Sequence, residues 1–370
     1  MSVASGAPTG VDVDVEIEVI TDVDRLDRLR TPWNRLLDRS RNSNPYQAPA
    51  YITTWFRHYS AGRPIHVVTL RSDGELVGVA PFDVTRVGFG PVAVPRLKSA
   101  VSGRVDYGDP LLADWIPGLP DLLLDHLGDV LARPGAAAYL RGLRSDGTLL
   151  PALLARDDLV AVPLADPLPA AVVRFDLMDD PVAGVRKIAQ KRDVPRSMRR
   201  LGEKFEVTEM IDLDIADGLD ALEDLIGRRW ADGEGPKAFA TDGDAAFTRA
   251  VVRAMAFDGR ARIKAIKADG RPVWVALLLR VGDRVIGDML AIDDDFRKFG
   301  PGNIGIFQTL EQFAEQGDRE KDMLSGDFGY KHRWSNAERT SQPFLVVRND
   351  ALGRAQLSFR DRARRIRERG

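Results

Sequence analysis

The chain has 370 residues, 44% of them hydrophobic, which is material for two globular domains of ordinary size. Its 53 Lys+Arg against 55 Asp+Glu leave a net charge of -2, so no global field draws it onto nucleic acid or anionic lipid. Zero cysteine excludes disulfides, thiolate metal sites and a cysteine nucleophile, and is compatible with a reducing compartment.

Residues 1–11 are small and polar and read as a disordered lead-in. They lack the basic start and apolar core of a signal peptide, and no apolar run approaches the ~18 residues of a membrane span. A cytoplasmic protein is the expectation. Val13, Val15, Ile17 and Val19 alternate with acidic residues as a strand with one buried face does. Asp22 can cap one helix carrying Leu26, Leu29, Trp33, Leu36 and Leu37, and a second helix starts near Pro49. Residues 65–70 and 75–84 read as a hairpin about Ser72-Asp73-Gly74. Strands near 92–97 and 137–143 flank a helix over 119–131, and another strand covers 159–163.

The second half repeats this order. A strand at 172–177 is followed by a basic helical stretch over 181–201, a strand at 205–211, and helices over 216–230 and 242–257. A meander follows at 261–267, 271–281 and 285–292, then a last strand at 343–347 and an Arg-rich helix over 352–369. Gly74 to Val84 (GELVGVAPFDV) and Gly270 to Val281 (GRPVWVALLLRV) occupy equivalent places about 195 residues apart, too far for a solenoid repeat. The chain therefore reads as a duplicated α/β domain: 12–168, then 169–350, with a terminal helix over 351–370.

After the meander, Arg297-Lys298-Phe299-Gly300-Pro301-Gly302-Asn303-Ile304-Gly305 places three glycines and two cations before a helix. Glycine lets backbone approach an anion, helix-start N–H groups point at it, and Pro301 suits a first turn. The bland alternative is an ordinary loop and helix start. The pattern is neither a P-loop nor a dinucleotide fingerprint. A strand at 321–324 then leads into a polar cluster of Ser325, Asp327, Tyr330, Lys331 and His332.

The turn at Pro301-Gly302 with its helix, the run Gly326 to Lys331 (GDFGYK), Pro45 to Phe56 (PYQAPAYITTWF), Gly74 to Phe82 and Asp106 to Leu112 (DYGDPLL) together resemble the GNAT acyltransferases. The resemblance is to the cellulose-biosynthesis (CelD/BcsL-like) acetyltransferase branch, related to the Fem-type aminoacyl transferases. It covers most of the chain and is strongest over 247–334. It implies tandem GNAT-like domains, each a mixed, largely antiparallel sheet flanked by helices, an α/β (α+β) architecture. It also implies transfer of an acyl group from acyl-CoA, most simply acetyl-CoA, to an amine or hydroxyl of a small polar acceptor such as a sugar or amino sugar. Arg297, Lys298, Gly300, Gly302, Asn303 and Gly305 would hold the carrier pyrophosphate.

Such transfer needs a base, fixed donors for an oxyanion and an acid for the thiolate. Asp327 or Asp288 could be the base, Tyr330 the acid, and Lys331 the stabiliser of negative charge. The bland alternative is Asp327 as a turn cap and Tyr330 as core with its hydroxyl at the surface. Tyr46, Gln47, Asp106 and Tyr107 could line an acceptor cleft between the domains. The four histidines show no metal spacing, so no metal is expected. Asp327-Phe328-Gly329 lacks the upstream elements of a kinase. The basic residues between Arg186 and Lys204 read first as a solvated face and otherwise as a polyanion patch. Two alternatives stay open: an aminoacyl-tRNA-dependent Fem-type transferase, and a non-catalytic scaffold.

Overall fold

Strand β1 (Val15–Ile20), from the acidic–apolar alternation, pairs along its length with a strand that follows three helices. Those helices are α1 (Val23–Asp27), α2 (Arg30–Arg39) and α3 (Pro49–Tyr59). The chain is a computed structural model that describes residues 14–87, 94–101, 103–229, 237–326 and 329–357. The lead-in at 1–11 lies outside them, and of the terminal helix only 351–357 is described, as helix. Asp22 caps α1 by accepting the Asp24 N–H. The single helix expected from Leu26 to Leu37 is two, because Leu29 N–H bonds Leu26 C=O three residues back and tightens the chain there.

Next come β2 (Ile65–Ser72) and β3 (Glu75–Val87), the expected hairpin, with Asp73 and Gly74 at φ 50° and 75°. Strand β4 (Val94–Ser99) continues antiparallel on β3, as does the short β5 (Leu111–Leu112). Helix α4 (Leu119–Leu131) then crosses over to β6 (Ala137–Arg144), which runs parallel to β4. Helix α5 (Leu149–Leu154) and β7 (Leu159–Pro163) close this half.

The second half repeats the scheme. It runs β8 (Leu168–Arg174), α6 (Pro181–Lys191), α7 (Val194–Gly202), β9 (Val207–Leu213), α8 (Ile215–Arg229) and α9 (Asp242–Phe257). The meander β10 (Ala261–Ala268), β11 (Arg271–Val281) and β12 (Arg284–Ile292) leads through α10 (Pro301–Glu315) to β13 (Glu320–Ser325), parallel to β12. With β14 (Ala337–Arg348), the strands join one sheet among the described residues in the order β1-β2-β3-β4-β6-β14-β8-β13-β12-β11-β10-β9. That order is palindromic: four antiparallel strands and one parallel crossover on each side of a central pair. The Gly74 and Gly270 segments fall on β3 and β11, the equivalent third strands. Strand β14 (Ala337–Arg348) returns to pair with β6 and β7 of the first half and β8 of the second.

Helix α10 packs on β11 through a close contact. Gly305 backs onto Trp274, which is fully buried, and a Cβ built there would stand 2.2 Å from the indole Cε2. Gly305→Ala is therefore expected to cost ~1–3 kcal/mol through overpacking. Urea denaturation measures it; unchanged stability would mean that α10 can ride outward freely.

Candidate active site

Strands β12 and β13 pair only at Arg284↔Glu320, Val285↔Lys321 and Ile286↔Asp322, and then part, although both continue. Two bulges accompany the parting. On β12, Asp288 is the extra residue between Leu277↔Met289 and Leu278↔Gly287. On β13, Met323 and Leu324 together face Ala171, between Asp322↔Val172 and Ser325↔Ala170. Leu324 sits at φ 60°, a left-handed value unusual for leucine, held by its N–H donating to Asp322 Oδ1 at 2.7 Å. A bulge bends its strand and re-aims side chains.

The opening is a cleft of about 670 Å³. Its walls come from β12, β13, the start of α10 and the first half of the chain. It brings together Tyr46, Asp106, Asp288, Arg297, Gly300, Gly302, Asn303, Tyr330 and Lys331, all singled out from sequence. Asp288 Oδ1 accepts from the buried Tyr46 hydroxyl at 2.7 Å. Burial pushes the Asp288 carboxyl up to about 6, opposed by the Tyr46 hydrogen bond and aided by the nearby Asp106 charge. Burial and the Asp288 charge hold the Tyr46 phenol well above its ordinary value. Asp106 Oδ2 accepts from Ser325 N–H at 2.7 Å. Lys331, 7% exposed, donates from Nζ to the carbonyls of Leu324 (3.1 Å) and Ser325 (2.7 Å). Burial lowers its pKa, and the charges of Asp106 and Asp322 oppose the shift. Burial raises the Tyr330 phenol against the lowering effect of Arg229. Asp327 lies outside the described residues.

At the other end, Gly300 takes φ 72° and its carbonyl accepts from both Asn303 and Ile304 N–H. Pro301 has no N–H, which leaves Gly302 as the first-turn donor facing the cleft. Arg297 stands 3.6 Å from Asp294 at the rim. Lys298 is not among the lining residues; its ammonium lies 5.3 Å from the Phe299 ring centroid. Gly305 is turned toward Trp274.

Gln47 and Tyr107 stand behind the wall. Gln47 Nε2 donates to the carbonyls of Asp109 and Pro110 at 3.1 and 3.0 Å, and Tyr107 donates to Asp322 Oδ2 at 2.8 Å. Sequence reasoning passed over Tyr51, Arg104, Arg141, Arg229 and Phe247, which also line the cleft. Arginines read as solvated in sequence, and only the fold places these three along the cleft. Among the described residues no group of three or more His, Cys, Asp or Glu could hold a metal, and no helix is long and apolar enough to cross a membrane.

Residues 189–332 match the family model described as acetyltransferase (GNAT) domain, a stretch containing α7 to β13 and therefore both strands of the split. The fold as a whole is similar to that of FemX (TM-score 0.57, 16% identity, 88% of this chain and 96% of that one). It is also similar to the C-terminal domain of a putative lysylphosphatidylglycerol synthetase from Agrobacterium fabrum (TM-score 0.52, 14% identity, 91% and 96%). No curated protein sequence matches the chain. The chain thus carries a GNAT-type acetyltransferase domain in a mixed α/β fold; the CelD/BcsL branch remains a resemblance.

A carboxyl raised in the folded state binds its proton more tightly there than in the unfolded chain. It therefore weakens folding as pH climbs from the unfolded value near 3.8 to the folded value of about 6, and the penalty is complete above that. Asp288→Asn removes the penalty. The variant is expected to be ~1–3 kcal/mol more stable than wild type at pH 7 and about equal to it at pH 4. Denaturation at the two pH values measures this; a gap independent of pH would deny the raised carboxyl.

Proposed function

We propose that the protein is an acyltransferase that moves an acyl group from acyl-CoA, acetyl-CoA first, to an amine or hydroxyl of a small polar acceptor. The observation that supports this most is the split between β12 and β13, with a helix start at one end and a raised carboxyl at the other, inside the GNAT-type domain. A cleft of about 670 Å³ suits a cofactor-sized ligand. Gly302 N–H and Arg297 fit the carrier pyrophosphate, Asn303 flanks it, and Lys298 supplies charge from outside. Pro301 removes one donor from the cradle, so Arg297 and Lys298 carry more of the recognition.

In the transfer, the acceptor nitrogen bonds the acyl carbon as the carbon–sulfur bond breaks. Asp288, with its pKa near 6, takes the proton the nitrogen loses, and Tyr46 fixes the carboxylate's orientation. Tyr330 gives its proton to the departing thiolate. Lys331 holds the carbonyls of Leu324 and Ser325, and its ammonium offsets negative charge growing in the cleft. Asp327 is a second candidate base on sequence grounds.

A second reading is a Fem-type transferase that takes its acyl group from aminoacyl-tRNA. One surface favours it: Arg196, Arg199, Arg200 and Lys204 are exposed on and just after α7. The Arg200 guanidinium and Lys204 ammonium stand 5.8 and 5.9 Å from the Phe299 ring, beside the helix start.

Calorimetry with acetyl-CoA and with charged tRNA separates the two. Saturable acetyl-CoA binding, weakened ~10-fold or more by Gly302→Asp, is expected from repulsion of a pyrophosphate. A Cβ at Gly302 would meet only Ile292 Cγ2 at 3.8 Å, so the fold accommodates the change. Salt-sensitive tRNA binding without acetyl-CoA binding would favour the second reading, and neither ligand binding would favour a scaffold. Lys331→Ala is expected to lower turnover ~100-fold with little change in cofactor affinity. The wild-type kcat/KM should rise through pH 6 as Asp288 loses its proton, a limb absent in Asp288→Asn.

A further inference from the structure

The first half sends an arginine into the cleft. Strand β6 carries a bulge in which Arg141 and Gly142 together face Pro343, between Leu143↔Gln342 and Leu140↔Phe344. Such a bulge re-aims a side chain. Gly142 takes φ 64°, and a Cβ there would stand 2.3 Å from the Asp106 carbonyl. One irregularity thus lays the Asp106 loop against β6 and turns Arg141 into the cleft, where both line the wall with Asp288.

The other cations of that wall are engaged. Arg104 pairs with Asp244 and lies 5.1 Å from the Tyr59 ring centroid; Arg297 faces Asp294; Lys331 holds two carbonyls; Arg229 also has a partner. Among the described residues the guanidinium of Arg141 has no carboxylate, carbonyl or ring partner, and only its backbone N–H is used, donating to Ser99 Oγ at 3.3 Å. Arg141 is half-buried. A guanidinium keeps its charge, and its planar fork of N–H donors fits two oxygens of a carboxylate or phosphate at once. Asp106 and Asp288, on the same wall, attract an ammonium.

We propose that the acceptor is a primary amine that also carries an oxyanion group, carboxylate or phosphate, which seats on Arg141 while the nitrogen faces Asp288. This rests on the acyltransferase reading for the role of the amine, but the anion site itself does not. Arg141 is then a specificity-determining residue.

Two measurements test it. In the first, inorganic phosphate and acetate are titrated into the full chain saturated with CoA, which occupies the α10 end. Saturable binding of one or both is expected in wild type, ~10-fold or more weaker in Arg141→Ala and intermediate in Arg141→Lys. The preferred anion tells phosphate from carboxylate. Equal binding in wild type and Arg141→Ala, or no saturable binding of either anion to wild type, overturns the proposal. Thermal unfolding and acetyl-CoA binding of Arg141→Ala show whether the variant is folded.

In the second, turnover of ethanolamine is compared with that of phosphoethanolamine and β-alanine, which share its amine. The anionic acceptors should be preferred by wild type and lose that preference in Arg141→Ala; preference for ethanolamine in wild type overturns the proposal. If acetyl-CoA fails to bind while phosphate binding without CoA still depends on Arg141, the acyltransferase reading falls and the anion site stands. Turnover indifferent to Arg141 sinks this inference alone.

Discussion

At the centre of the sheet the Asp322 carboxylate, about 1% exposed, is met from three directions. Leu324 N–H binds one oxygen, and the Tyr107 hydroxyl and Arg339 Nη1 bind the other at 2.8 and 2.7 Å. A buried charge is tolerated only where partners replace its water, and losing one partner from such a set is expensive. Here every partner does structural work. The Leu324 bond holds the left-handed residue that ends the β12–β13 pairing. Tyr107 ties the Asp106 loop of the first half to β13. Arg339 belongs to β14, the strand shared between halves, and also reaches Glu320 and Asp146. The place where the sheet splits and one of the contacts between the two halves therefore share one group.

The two halves share a strand order but not a cleft. In the first half, the corresponding crossover pairs β4 with β6, and residues 105–112 run alongside. Gly108 N–H donates to Gly142 C=O at 3.0 Å, and a Cβ at Gly108 would stand 2.3 Å from the Arg141 carbonyl. Backbone packed that closely, with Tyr107 and Asp109 buried, leaves little space there. The same loop then presents Asp106 to the second half. One strand order thus serves a half with an opening and a half whose loop fills its own gap and walls its neighbour's.

Much of the architecture is legible because it rests on local patterns. The alternation in β1, the two Asp-Gly hairpin turns, the Gly-Pro-Gly start of α10 and the helix at 119–131 all register in sequence periods or turn chemistry. Gly74 and Gly270 mark equivalent strands for the same reason. What escapes is what depends on register. The bulges at Asp288, Leu324 and Arg141 need the partner strand to be defined, so period-two reasoning cannot tell which of their side chains turns inward. Gln47 and Tyr107 illustrate the converse: both sit in the right neighbourhood, yet the Gln47 amide is consumed by the carbonyls of Asp109 and Pro110 and the Tyr107 hydroxyl by Asp322. Asp322 passed as an ordinary strand residue because two of its three partners, Tyr107 and Arg339, lie on other elements. The break between α1 and α2 is invisible in a hydrophobic spacing that suits one helix equally well.

The chemistry of Asp288 depends on what is kept away from it. A carboxylate within reach of an arginine or lysine is stabilised as the anion and becomes a weaker base. The cleft is rich in cations, yet among the described residues none contributes to the Asp288 shift, which arises from burial, the Tyr46 hydroxyl and the Asp106 charge. Arg104 is drawn to Asp244, and Lys331 is turned to the kinked carbonyls of β13. Tyr46 donates to Asp288 without losing its proton to it, because burial beside that carboxylate holds the phenol proton firmly. Diverting these cations leaves Asp288 with a proton affinity suited to accepting a proton near neutral pH. The bulge that isolates Asp288 on β12 and the kink that occupies Lys331 thus act together: one presents the carboxylate, and the other keeps an ammonium from neutralising it.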